Sequence, residues 1–280
     1  METILITGAN SGVGLATATA LARQDNRLIL LVRNQQKANE TKAKILKAAT
    51  KASLDFYLVD LTDLASVKKA ADDIKGIYTS IDRLINNAGY SPVGITFTKD
   101  GYEKSFAANH LGHFVLTMNL LGLLKASVES RVINVSSSAH AFGKAERFFK
   151  KNNTKLSDMQ AYGDGKLANI LFTKGLVAHT KGTSITAYAL HPGVVKTRFG
   201  HDMNGFLKII FTLARPFMIS PEKGAATSIY LATTAIENIK SENGAYFEKS
   251  KPAATSNKDI TPENVNKLWE KSLAAAKYFI

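Results

Sequence analysis

The sequence contains no cysteine. That excludes disulfides, thiolate nucleophiles and cysteine-ligated metals, and it suits a reducing compartment. The six histidines show no metal-ligand spacing such as His-Glu-x-x-His, so no metal is expected. No uncharged apolar run reaches membrane-spanning length; the nearest, residues 205–219, carries Lys208 and Arg215. No basic stretch followed by an apolar one precedes the first strand pattern, so a secretory signal is not expected. Basic blocks interleaved with aromatics are missing too, and the net charge of +13 is spread along helix-like stretches. That pattern fits a solvated basic surface that steers an anionic small molecule, and nucleic acid is not an expected partner. A soluble, cytoplasmic protein is expected.

What is present is enough for one large core: 280 residues, 45% of them hydrophobic. Apolar, β-rich runs at 3–7, 27–32, 54–59, 82–86, 131–135 and 184–190 alternate with helix-like stretches near 12–23, 35–49, 63–75, 101–125 and 159–180. Near-continuous apolar runs are the mark of parallel strands buried on both faces. The alternation predicts an α/β fold: a doubly wound (Rossmann) parallel sheet, helices on both faces, in one domain over 1–280. Residues 244–247 are expected to add a last strand. A Thr followed by Pro predicts a terminal helix over about 262–278.

Between the first strand and first helix, Gly8, Gly12 and Gly14 have the spacing TGxxxGxG. Such glycines let backbone turn tightly and approach a pyrophosphate, and the helix N-terminus favours the anion. With Asn10, Ser11 and Val13 they form the expected cofactor turn. A carboxylate at the end of the second strand would select NAD by accepting from ribose hydroxyls. That strand ends on Val32 and Arg33 instead, and an arginine pairs with a 2′-phosphate, so NADP(H) is the expected cofactor. Asp60 and Leu61 end the third strand; Asn87, Ala88 and Gly89 end the fourth. Both sets lie at the carboxyl edge, where ligands sit in open α/β sheets, and are expected beside the adenosine.

In order, TGANSGVG, VDL, NNAG, NHLGHF, VINVSS, YGDGK and HPGVVKT resemble the short-chain dehydrogenase/reductase family, and specifically its retinol dehydrogenase-like branch. Residues i and i+4 share a helix face, and a nearby cation favours a phenolate. The resemblance makes Tyr162 the general acid/base and gives Lys166 two tasks, lowering the phenol pKa and binding the nicotinamide ribose. It makes Ser137 the catalytic serine, with Ser136 and Ser138 as alternatives. By the same resemblance Asn109 is expected to hold a water that links the lysine to solvent. The resemblance also places Pro192, Gly193, Val194 and Thr197 at the nicotinamide end. His110, His113, His140 and His191 are read as packing residues.

Two departures stand out. Gly165 occupies a position where the family often has serine. The stretch between Ser137 and Tyr162 is longer than in compact members, and is expected to shape the substrate mouth or obstruct a subunit interface; monomer and homodimer both stay open. Residues 198–224 are expected to form an apolar lid, with a packed helix or an interfacial element, giving peripheral membrane contact through Lys208 and Arg215, as alternatives. The expected function is NADP(H)-dependent hydride transfer between nicotinamide and the carbonyl or alcohol of a lipophilic small molecule. A protochlorophyllide reductase-like enzyme and a non-catalytic NADP(H) sensor are the alternatives.

Overall fold

The computed structural model describes residues 1–196 and 218–280. The apolar runs form strands β1 (Thr3–Thr7), β2 (Arg27–Val32), β3 (Ser53–Leu58), β4 (Arg83–Asn86), β5 (Ser130–Val135) and β6 (Ile185–His191). With β7 (Tyr246–Glu248) and β8 (Lys251–Pro252) they make one sheet in the order β3-β2-β1-β4-β5-β6-β7-β8. Neighbours from β3 through β7 pair parallel, and β8 returns antiparallel. The chain builds outward from β1 to β3, then crosses back to place β4 on the other side of β1. Helices on either side of such a reversal diverge and leave a crevice at the strand ends.

Alternate strand residues serve opposite faces. Ile4 and Ile6 pack with α1 (Gly12–Ala22), α2 (Gln35–Ala48) and α8 (Pro221–Thr233). Leu5 faces α3 (Leu64–Lys75), α5 (Gly112–Asn119), α7 (Asp158–His179) and α9 (Pro262–Ala276). Each such aliphatic side chain, buried on both sides of the sheet, contributes about 1.5–3 kcal/mol. Side-chain caps set the helix starts: Asn34 on α2, Asp63 on α3, a Ser157–Gln160 capping box on α7 and Thr261 ahead of Pro262 on α9.

Two features differ from the sequence reading, the helix at 101–125 and the added strand β8. The helix expected over 101–125 is divided into α4 (Lys104–Phe106), a π turn (Ala107–Leu111), α5 and α6 (Leu121–Ala126). Of the segment 198–224 the structure describes only the end, where Ser220 caps α8 and Pro221 starts it, the usual start signal for a helix. The rest of that proposed lid, 198–217, lies outside the described residues, as does Thr197. Strand β8 follows a two-residue turn in which Lys249 and Ser250 both hold positive φ, 50° and 60°. Such turns normally announce themselves by Asn or Gly. Here the Thr227 hydroxyl holds the turn instead, accepting from the Ser250 N–H at 3.1 Å.

Candidate active site

The crevice at the carboxyl ends of β1 and β4 is a cleft of about 660 Å³. Its floor is the glycine turn. Gly8 has φ +67°, and a Cβ there would stand 2.8 Å from the Ala88 Cα, so neither the turn nor the approach of β4 tolerates a side chain. Asn87 ties the two strand ends together, its side-chain amide donating to the Thr7 carbonyl at 2.9 Å. The Thr7 hydroxyl oxygen accepts from the N–H groups of Asn87 (3.0 Å) and Ala88 (2.9 Å). Its own proton is left for His113 Nε2, at 2.9 Å. His113 Nδ1 then carries the hydrogen donated to the Asn109 carbonyl, also at 2.9 Å. The ring is therefore neutral, and complete burial pulls its pKa down to about 4.

These residues fit a dinucleotide. The Ser11 side chain makes no cap hydrogen bond to α1, and no acidic residue sits in the first turn. The positive end of the helix dipole opens on the cleft, and among the described residues no side chain caps its N–H groups. Gly8, Asn10, Ser11, Gly12, Val13 and Gly14 all line the cleft. So do Arg33 beyond β2, Asp60 and Leu61 beyond β3, and Asn87, Ala88 and Gly89 beyond β4. Asp60 is partly engaged: one carboxylate oxygen accepts from the Thr62 N–H and hydroxyl, at 2.9 and 2.8 Å.

The far end of the cleft gathers Ser137, Tyr162, Lys166, Pro192, Gly193 and Val194. Of the three adjacent serines, Ser137 hydrogen-bonds the Tyr162 phenol. Ser136 is buried and donates to the Lys166 carbonyl at 2.7 Å. Ser138 offers its backbone N–H to His191 Nδ1 at 3.3 Å. The Lys166 ammonium donates to the Val135 carbonyl at 3.0 Å and stands 5.5 Å from the centroid of the Tyr162 ring. Burial pulls its pKa down to about 7. The phenol, expected to be lowered by its cationic neighbour, is instead raised well above its ordinary value. Desolvation of the phenolate outweighs the Ser137 hydrogen bond that favours it. Tyr162 is thus a protonated donor at neutral pH.

Asn109 does not line the cleft. It sits in the π turn, fully buried, its amide donating to the carbonyls of Tyr90 and Ser105 at 2.8 Å each. A Cβ at Gly89 would stand 3.3 Å from both Asn109 Oδ1 and Lys166 Nζ. The two side chains therefore converge on this glycine. A π turn adds a residue to the helix and re-aims what it carries, which is how the segment presents Asn109 to Lys166.

All three residues between Tyr162 and Lys166 are accounted for by close neighbours. A Cβ at Gly163 would stand 2.8 Å from the Ala139 carbonyl and 2.9 Å from the Gly143 amide, so the loop after Ser137 rests directly on α7. A Cβ at Gly165 would stand 2.9 Å from Asn109 Cβ. Asp164, buried between them, takes a forked hydrogen bond from Arg147, with Nε at 2.9 and 3.1 Å and Nη2 at 2.6 Å. Sequence reading found Gly165 as a departure and missed Asp164. It also missed a buried polar ladder, Asn86 to Asn134 (2.8 Å) to Thr173 (2.9 Å), that fixes α7 on the sheet. Nothing in the strand pattern distinguishes these polar residues from ladder-end turns. Phe142, Met159 and Met218 supply apolar lining at the mouth.

A family model for short chain dehydrogenases matches residues 2–206. Retinol dehydrogenase 12 of Mus musculus is 37% identical over 272 residues, covering 97% of this chain and 85% of that one. Retinol dehydrogenase 13 of Homo sapiens is 38% identical over 279 residues, covering 97% and 83%. Among solved structures, an uncharacterized protein from Mycobacterium paratuberculosis is similar with a TM-score of 0.78 at 30% identity, covering 99% of this chain and 94% of that one. The NADPH-bound carbonyl reductase from chicken fatty liver has a TM-score of 0.67 at 22% identity, covering 91% and 99%, a likeness of fold.

Proposed function

Since the chain belongs to the short-chain dehydrogenase family, oxidoreductases that act on CH–OH and C=O groups with a nicotinamide cofactor, we propose that it is an NADP(H)-dependent reductase or dehydrogenase of lipophilic carbonyls and alcohols. The observation that carries the chemistry is the Ser137–Tyr162 hydrogen bond in the cleft, with Lys166 one turn along the same helix. When bound, the cofactor supplies or accepts the hydride. The Ser137 hydroxyl donates to the substrate oxygen and orients it. Tyr162, held neutral by burial, gives its proton to that oxygen as negative charge develops. Lys166, titrating near neutrality, binds cofactor hydroxyls and returns a proton to the phenol. Asn109, converging with it on Gly89, holds the water that connects the lysine to solvent. The helix N-terminus at Gly12 binds the pyrophosphate, while Pro192, Gly193 and Val194 hold the nicotinamide end.

The choice of NADP(H) rests on Arg33, which lines the cleft just past β2 where a ribose-binding carboxylate would stand in an NAD site. The lipophilic substrate rests on the Phe142, Met159 and Met218 lining and on the retinol dehydrogenases among the relatives. Those relatives also favour this reading over a protochlorophyllide reductase. The test is NADPH and NADH binding, followed by NADPH oxidation against aldehydes, ketones, retinal and steroids. NADPH should bind more tightly, and Arg33→Ala should narrow the gap by about ten- to a hundredfold, the worth of one charge-assisted phosphate contact. Equal affinities in the parent protein would sink the cofactor assignment. No turnover of any carbonyl would sink the reaction.

A further inference from the structure

The segment between Ser137 and Tyr162 is longer than hydride chemistry needs, and it is pinned at three places. Phe148 stacks on Phe106 with centroids 5.4 Å apart, and Phe149 meets the same ring edge-on at 5.1 Å. Phe149 takes a φ of +62° to do so, a strained conformation for a side chain of this size. From the tail, the Asn257 amide donates to the carbonyls of His140 (2.6 Å) and Gly143 (2.8 Å). Asp259 accepts from the Ala145 N–H at 2.8 Å. The third pin reaches the catalytic helix itself. Asp164 lies two residues from both Tyr162 and Lys166, and accepts the Arg147 fork together with the Lys144 N–H at 2.8 Å. The same guanidinium donates to the Phe142 carbonyl at 2.7 Å.

The pair is nearly dry, the side chains being 12% and 5% exposed. A buried ion pair is a poor source of stability, because desolvation offsets most of the attraction and an apolar pair of similar volume does as well. What a forked arginine–carboxylate pair provides is fixed geometry. Here the object fixed is Phe142, a residue that lines the cleft although it is 58% exposed. An aromatic side chain this exposed has little packing of its own to hold it at the mouth. Its backbone is held by Arg147, and Arg147 is held by the helix that carries the proton donor.

We propose that Arg147 and Asp164 are specificity-determining positioning residues. By clamping the Phe142 wall to α7, the pair sets the width of the mouth above Tyr162, and so selects carbonyl compounds by size. Neither residue touches the reacting atoms. The proposal rests on the reductase reading above and deepens it.

The test compares kcat and KM for a short aliphatic aldehyde and for a bulky ring or polyene aldehyde, alongside NADPH affinity and thermal melting. The variants are Arg147→Met, the double variant Arg147→Met/Asp164→Leu, and Arg147→Lys. In Arg147→Met the ratio of kcat/KM between the two aldehydes should shift by at least about tenfold, the scale of a resized apolar pocket. The shift should lie mainly in KM, and NADPH affinity should stay within about twofold. The double variant leaves no orphan carboxylate, and should show the same shift if geometry is the cause. Arg147→Lys keeps the charge without the fork; it should fall between, and it supplies the comparison should the Met variant fold poorly. An unmoved ratio in variants that bind NADPH normally overturns the proposal while leaving the reductase reading intact. Equal losses for both aldehydes and for NADPH also overturn it, since that is the signature of a merely structural pair. A parent protein that turns over neither aldehyde overturns the reductase reading and this proposal with it.

Discussion

Lys166→Met should make the ligand-free protein more stable at pH 6 while abolishing its activity. Burial holds the lysine pKa at about 7 against an ordinary 10.5. At ~1.4 kcal/mol per pH unit, the charged form carries a penalty of about 5 kcal/mol. The unfolded chain keeps this proton up to about pH 10, whereas the folded chain releases it near 7. Between those values the unfolded state binds more protons, so stability rises with pH; below 7 the full penalty applies. Methionine keeps the stem and removes the charge. It also removes the hydrogen bond to the Val135 carbonyl, worth about 1.5–3 kcal/mol for a charged donor. That carbonyl retains the Asn169 amide at 3.1 Å, so it is not left unpaired. The expected net gain at pH 6 is about 2–3 kcal/mol; it crosses zero at about pH 9 and becomes a loss of about 1–2 kcal/mol, the hydrogen bond alone, by about pH 10. The assay is urea unfolding of parent and variant at pH 6 and pH 9.5 without ligand. A variant less stable than the parent at pH 6, or a difference that ignores pH, refutes the reasoning.

Tyr162→Phe keeps the ring and removes the proton, and should lower the rate of carbonyl reduction at least about a hundredfold with cofactor affinity little changed; single-turnover rates and NADPH titration check both, and retained turnover removes Tyr162 from the mechanism. Gly165→Ser restores the residue the family often has, but places a Cβ 2.9 Å from Asn109 Cβ. Overpacking of about 1–3 kcal/mol, less about 0.5 kcal/mol of helix propensity, should lower the melting temperature by roughly 2–8 °C. An unchanged melting temperature would mean that the π turn yields freely.

Sequence by itself determined the layered fold, because its signals are local. Strands such as 27–32 and 131–135 are apolar on both faces, and that composition suits little except the middle of a parallel sheet. The chain order of the motifs likewise placed Gly8, Asn87, Ser137 and Pro192 at strand ends, and strand ends of a doubly wound sheet share one edge. Tertiary structure decided what depends on neighbours remote in the chain. Three consecutive serines are equivalent by composition; the family resemblance pointed to Ser137, and the approach of α7 is the physical reason that it, and not a neighbour, meets Tyr162. The i, i+4 spacing brings Lys166 to the same face as Tyr162, but the pKa of each is set by how much water the surrounding elements exclude. Desolvation there dominates, raising the phenol and lowering the amine. The Gly-Asp-Gly between them carried no legible message, since each residue answers to a different distant partner: the loop at 139–143, Arg147 and Asn109.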